Sequence, residues 1–164
     1  MQSPEILKNI CKLHNITKTY LIRCEYLTES TLIQPVKEFR DAYDHILKTF
    51  FLAEDSDIVT QNLERAYSHE FRAFMDTLDY YCVQLMKRIG DIINSVGIPT
   101  LRKNYKHFPE LFRYLIQSER EITKIRKERE NDLRKGNIDA YTKAADKLDE
   151  YYKELVEVVA KLKI

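Results

Sequence analysis

The chain has 164 residues, 44% of them hydrophobic and 32% charged, with a formal net charge of +1. That is the length of one ordinary domain and the balance of a folded globular chain, and no basic excess draws nucleic acid, so any phosphate site has to be local. Glycine and proline together number only 7, and the glycines lie apart at 90, 97 and 136, which excludes turn-rich β-folds and phosphate-cradling glycine loops.

What remains is long helices. Ser3-Pro4-Glu5 is a helix start, with Ser as cap, Pro at the first helical position and an acid in the first turn. Ile6, Leu7, Ile10, Leu13, Ile16, Tyr20, Leu21, Cys24 and Leu27 follow at helical spacing. Thr28 to Thr31 breaks the pattern. Pro35 opens a second helix with an apolar stripe of Val36, Phe39, Tyr43, Ile46, Leu47 and Phe50, and the stretch from Ala53 to Ser56 ends it. The third helix is the longest. Its seam runs Leu63, Tyr67, Phe71, Phe74, Leu78, Tyr81, Leu85, Ile89, Ile92 and Val96, close to a heptad pattern. Gly97 and Pro99 terminate it. Residues 100–107 are left open, as loop or short helix. Pro109 starts a fourth helix through Leu111, Phe112, Leu115, Ile116, Ile122 and Ile125, and Gly136 stops it. Asp139 caps a fifth, with Ala140, Ala144, Leu148, Tyr151, Tyr152, Leu155, Val159 and Leu162.

These segments predict an all-α antiparallel bundle of about five long helices, a single domain over 1–164. The charged stretch 128–137 is the tip of a helical hairpin, around 118–150, that projects from it. A third helix of about 40 residues spans about 60 Å. Its seam therefore needs a long partner helix, from the C-terminal hairpin or from a second chain, and a homodimer is the expectation. The three cysteines (Cys11, Cys24 and Cys82) are odd in number and widely spaced, which fits a reducing compartment. No leader or span of membrane length is evident, so the expectation is a cytoplasmic protein without a membrane partner.

No metal or other cofactor is expected. None of His14, His45, His69 or His107 has a Glu three residues before it, as helical di-iron sites require. Cys11-x-x-His14 is a single pair of zinc-type ligands without a second pair. The motif that does suggest chemistry is Arg40-Asp41-Ala42-Tyr43-Asp44-His45. It resembles the R-[NDH]-x3-H signature of the HEPN superfamily, all-helical and often dimeric domains that include metal-independent ribonucleases of toxin–antitoxin and antiviral defence systems. The resemblance covers six residues and the all-α class. It implies RNA as substrate or ligand, with Arg40 and His45 catalytic. A second R-x4-H spacing, Arg102 to His107, has Lys103 after the arginine and Pro109 nearby, and ranks lower.

The residue types fit such a reaction. His supplies a proton donor or acceptor at neutral pH, and Arg offers a bidentate cation for a phosphate. Asp41, four residues before His45, is placed to orient the imidazole. On a helical wheel Arg40 and His45 lie about 140° apart, Arg40 at the edge of the apolar stripe and His45 away from it, so a shared site needs a second surface. The third helix provides one. Arg65, His69, Arg72 and Asp76 share a face, and a hairpin turning near Asp55 brings Arg65, His69 and Arg72 level with Arg40 and His45 as phosphate contacts. The same residues also read as exposed i, i+4 pairs, Arg40 with Asp44 and Asp41 with His45. The alternative function is then a non-enzymatic helical interaction or adaptor subunit, with the Tyr-rich fifth helix (Tyr141, Tyr151, Tyr152) as its interface.

Overall fold

The computed structural model describes residues 3–51, 56–131 and 138–162, with the side chains at 125, 126 and 128–131 left aside. The expected break at 53–55 and the centre of the expected hairpin tip, 132–137, lie outside the described residues. Six helices follow in order: α1 (Ser3–Thr28), α2 (Ile33–Phe51), α3 (Ser56–Val96), α4 (Ile98–Asn104), α5 (Phe108–Asn131) and α6 (Ile138–Leu162). Among the described residues there is no strand. The all-α class is as the composition requires. The helix beyond the expected five is α4, which fills the stretch left open in the sequence.

Local chemistry sets the helix ends. Glu29 takes a left-handed conformation (φ 54°), its N–H donates to the Glu25 carbonyl, and the Thr28 hydroxyl donates to the Cys24 carbonyl at 2.8 Å. That closes α1 at the predicted Thr-rich break. Gly97, at φ 85°, closes α3 through its N–H to the Ile93 carbonyl at 3.0 Å. Its own carbonyl then accepts from Leu101, and Pro99 sits in the first turn of α4. Gly97 is therefore both the end of one helix and the cap of the next, a turn that needs its positive φ.

The chain forms two compact units, Met1–Tyr80 and Tyr81–Ile164. In the first, Ser3 bonds Thr60, His14 bonds Glu70 and the Cys24 thiol donates to the Thr77 carbonyl. Residue numbers rise together along both helices, so α1 and α3 run parallel. Glu38 meets Arg72 and His45 meets Asn62, so α2 runs antiparallel to α3. Ile6, Ile10, Ala42, Leu63 and Ala66 form a buried cluster with Ile46, Val59 and Tyr67 packed against it. The alanines let the backbones approach closely, and Phe71, Phe74, Met75 and Leu78 extend the core along α3.

The apolar stripe of α2 divides. Pro35 and Ala42 are buried, with Phe39 and Ile46 half-buried beside them. Val36, Tyr43, Leu47 and Phe50, expected in the core, are exposed. In the second unit, Leu85, Ile89 and Ile93 of α3, Leu101 of α4, Phe108 and Leu111 of α5, and Leu148 and Leu155 of α6 are all buried. Tyr105, just before α5, donates to Glu154 at 2.5 Å and Tyr114 of α5 to the Ala144 carbonyl at 3.3 Å, so α6 runs antiparallel to α5. The α6 tyrosines are not the exposed interface the alternative function called for. Tyr141 and Tyr151 are buried and Tyr152 is half-buried, because the broad apolar face of α6 meets its own unit. No helix among the described residues is long and apolar enough to cross a membrane.

Candidate functional site

Helices α2 and α3 bring four side chains into one hydrogen-bonded group. The Glu38 carboxylate oxygen Oε2 accepts from His69 Nδ1 at 2.8 Å and from Arg72 Nε at 2.9 Å. Arg72 Nη2 lies 2.6 Å from His69 Nδ1. Since Glu38 can only accept, its bond to His69 needs the proton on Nδ1; Arg72 Nη2, a donor too, then meets that N–H without bonding it, and Arg72 joins the group through Nε on Glu38. The His45 ring stacks on His69, centroids 5.4 Å apart and planes 26° from parallel. His45 Nδ1 donates to Asn62 Oδ1 at 3.0 Å, and the Asn62 amide is oriented by its own bond to the Ile58 carbonyl at 3.0 Å. Both imidazoles thus hold a proton on Nδ1. In the neutral rings Nε2 carries the basic lone pair, the orientation a proton-transfer group needs.

The electrostatics follow. Burial pushes the Glu38 carboxyl up, but hydrogen bonds from His69 and Arg72, with their charges, outweigh it and hold the group below its usual value. Glu38 therefore stays ionised and neutralises Arg72. The result is a compensated cluster, not a bare cationic patch.

The structure distributes the sequence-predicted residues unevenly. It brings His45, His69 and Arg72 together, at close to the hairpin register expected. It leaves Arg40 outside: its side chain is 74% exposed and donates from Nε and Nη2 to Asp41 at 2.9 and 2.7 Å. Asp41 is therefore engaged by Arg40 and not as the orienter of His45, a place taken by Asn62. The hydrogen bond from Arg40 holds the Asp41 carboxyl below its usual value. Asp44 pairs with Lys48 at 2.6 Å, so neither i, i+4 pair expected around the motif forms. Arg65 is exposed, a turn before His69. His45 faces α3 and Arg40 faces away from it, the roughly 140° separation of the wheel kept intact.

Glu38 and Asn62 complete the cluster and were missed. The signal for Glu38 was present. It lies seven residues before His45, two helical turns along one face, and the hairpin register sets it level with Arg72. A search for cations alone passes over it. Among the described residues, no group of three or more His, Cys, Asp or Glu is placed to hold a metal ion. No protein-family model, curated protein or solved structure matches the chain.

Proposed function

We propose that the protein is a helical interaction subunit that associates through the outer face of α2, and that its partner there is a second copy of the chain. One observation carries this. Ile33, Val36, Tyr43, Leu47 and Phe50 lie 38–74% exposed along one face of α2. Their spacing is the alternating three and four of a coiled-coil seam, with Arg40 at the missing step. Phe51, 87% exposed, adds to one edge. An apolar face of this size, broken only at Arg40, is the mark of an interaction site. At about 150–250 Å² per aromatic side chain, Tyr43, Phe50 and Phe51 alone leave roughly 400 Å² open. A standard interface buries about 800 Å² per partner.

Charge selects the occupant. Lys37 and Arg40 lie in the first half of the seam, and Asp41 and Asp44 in the second. Antiparallel pairing about the midpoint sets Lys37 of one chain beside Asp44 of the second copy, and the reverse. Parallel pairing would set like charge on like. Light scattering should give about 39 kDa, twice the chain mass of 19.6 kDa. Phe50→Glu should return the monomer, since losing an aromatic anchor of the seam and placing a charge there weakens binding by about 2 kcal/mol or more, roughly 30-fold. Lys37→Glu should weaken association and Lys37→Glu with Asp44→Lys restore it. A wild-type mass that stays at 19.6 kDa at about 100 μM protein, a concentration at which even micromolar affinity would show, refutes the reading.

The stacked, proton-oriented pair of His45 and His69 beside Arg72 supports a second reading, metal-independent RNA cleavage of the kind the HEPN resemblance implies. In it the two Nε2 atoms exchange protons with the 2′-OH and the leaving oxygen, and Arg72 takes the phosphate contact first assigned to Arg40. Single-stranded RNA should then be cut in the presence of a chelator, to products ending in a 2′,3′-cyclic phosphate. Arg72→Ala should cost on the order of 10²–10³ in rate. Intact RNA after prolonged incubation leaves the cluster as a buried brace between α2 and α3.

A further inference from the structure

Between α4 and α5 of the second unit lies a cavity of about 380 Å³. The connection between these helices is only residues 105–107, and backbone bonds hold it. The Tyr105 N–H donates to the Leu101 carbonyl at 2.8 Å, and the Phe108 N–H to the Tyr105 carbonyl at 3.1 Å. Leu101, Tyr105, Phe108 and Leu111 are buried and fix the two helices to their unit. Residues four apart share a helix face, so Ile98 stands beside Arg102 on α4, and Phe112 beside Ile116 on α5. These four line the cavity, together with Phe108, Pro109 and Arg113. Ile98, Phe112 and Ile116 are 39–48% exposed, so their apolar surface is open to an occupant. Phe108 is buried and supports Phe112, ring centroids 6.1 Å apart.

The polar side chains of this lining are Arg102 and Arg113, with no hydroxyl, amide, thiol or carboxyl beside them among the described residues. Both are exposed, and neither makes a hydrogen bond, ion pair or ring contact with another described residue. Arg40 and Arg72, by contrast, are each engaged by an acid. Glu110, the one acid between Arg102 and Arg113 in sequence, does not line the cavity, and its charge acts on the Tyr105 hydroxyl. Residues 98–118 hold four Lys or Arg against that single acid. The site therefore joins an apolar wall to two uncompensated guanidinium groups, the pattern of a small-molecule site with few polar anchors. An arginine fork matches the paired oxygens of a carboxylate. The volume equals roughly twelve water molecules at about 30 Å³ each, room for a ligand of about twelve non-hydrogen atoms. We infer that this cavity is a binding site for a small amphipathic carboxylate, its charged end on Arg102 and Arg113 and its apolar body on Ile98, Phe112 and Ile116.

The probe is 4-phenylbutyrate, titrated into the full chain and followed by amide chemical shifts. Saturable shifts should centre on Ile98, Arg102, Phe112, Arg113 and Ile116, with a Kd on the order of 1 mM, the range for a ligand of this size. 4-Phenylbutanol, the neutral analogue, should bind about fivefold more weakly, the scale of two solvent-screened ion pairs. 4-Phenylbutylammonium should bind more weakly still. Arg102→Gln with Arg113→Gln should abolish the preference for the acid and leave the affinity of the alcohol unchanged. Both side chains are exposed, so the variant keeps its fold, and an unaltered spectrum away from the cavity checks that. Phe112→Ser, at another exposed position, should weaken acid and alcohol alike. Equal affinity for acid and alcohol overturns the inference, because the cavity is then merely apolar. Displacement of the acid by an equal concentration of inorganic phosphate overturns it as well, because the arginines then bind any anion without the apolar wall. A preference that survives the double substitution, or no saturable shift up to about 10 mM acid, tenfold above the expected Kd, also refutes it.

Discussion

Replacing Glu38 by Gln keeps the shape of the side chain and removes its charge. The structure sets the size of the effect. One oxygen, on a side chain 12% exposed, receives two charge-assisted hydrogen bonds, from His69 at 2.8 Å and Arg72 at 2.9 Å. Such bonds contribute about 1.5–3 kcal/mol each, against about 1 kcal/mol for neutral ones. The amide oxygen of Gln still accepts, so the loss is about 1 kcal/mol per bond, near 2 kcal/mol in all at neutral pH. Arg72 is 30% exposed, and water taking up its freed donors trims that figure. The sign with pH follows from the lowered carboxyl of Glu38. A carboxyl lowered by folding stabilises the protein above its unfolded value, about 4.3, and that stabilisation is lost as pH falls through the folded one. The gap between wild type and Glu38→Gln should therefore be full at neutral pH and shrink at acid pH. Glu70, whose carboxyl burial raises in spite of His14, has the opposite slope, and comparing the two proteins cancels it. Hydrogen exchange at the α2 amides is the assay, since a chain of two units can open in parts. A gap under about 0.5 kcal/mol at neutral pH, the size of a surface substitution, or one that persists undiminished in acid, refutes the ion-paired picture of Glu38.

Thiol titration of the native chain should find one fast cysteine, Cys11, which is exposed. Cys24 and Cys82 are buried, and burial, helped by Glu25, pushes the Cys24 thiol up to about 12, so only denaturant should release them; three equal rates would contradict the burial. Leu148→Ala, at a fully buried position of α6, should cost about 2–5 kcal/mol, read as faster exchange of α6 amides, and an unchanged rate would refute the packing of the second unit. Glu29→Gly should raise stability by about 0.5 kcal/mol, because glycine takes the left-handed φ of 54° without a side-chain penalty; a lower melting temperature would show that the Glu29 side chain matters more than its backbone.

The helical class and most breaks were legible from the chain alone, because they rest on local chemistry. Few glycines and prolines, a Thr-rich stop at 28–31 and the Gly97–Pro99 pair act within a turn of where they stand. The antiparallel run of α2 against α3 was legible too, since a short connection allows little else, and with it the meeting of His45, His69 and Arg72. Tertiary packing decided the rest. The apolar arc of α2 is wider than one contact face, and periodicity reports the arc without saying which part a neighbour covers. Phe39 and Ile46 turn towards the core beside Ala42, a small residue that lets α3 come close, and Val36, Tyr43 and Leu47 are left outside. That choice carries Arg40 outward and His45 inward, separating two residues that a linear motif reads as one site. Glu70 makes the same point from within. In sequence it is one more acid on a charged helix. Only the parallel packing of α1 on α3, which seats His14 against it, makes it a buried carboxyl.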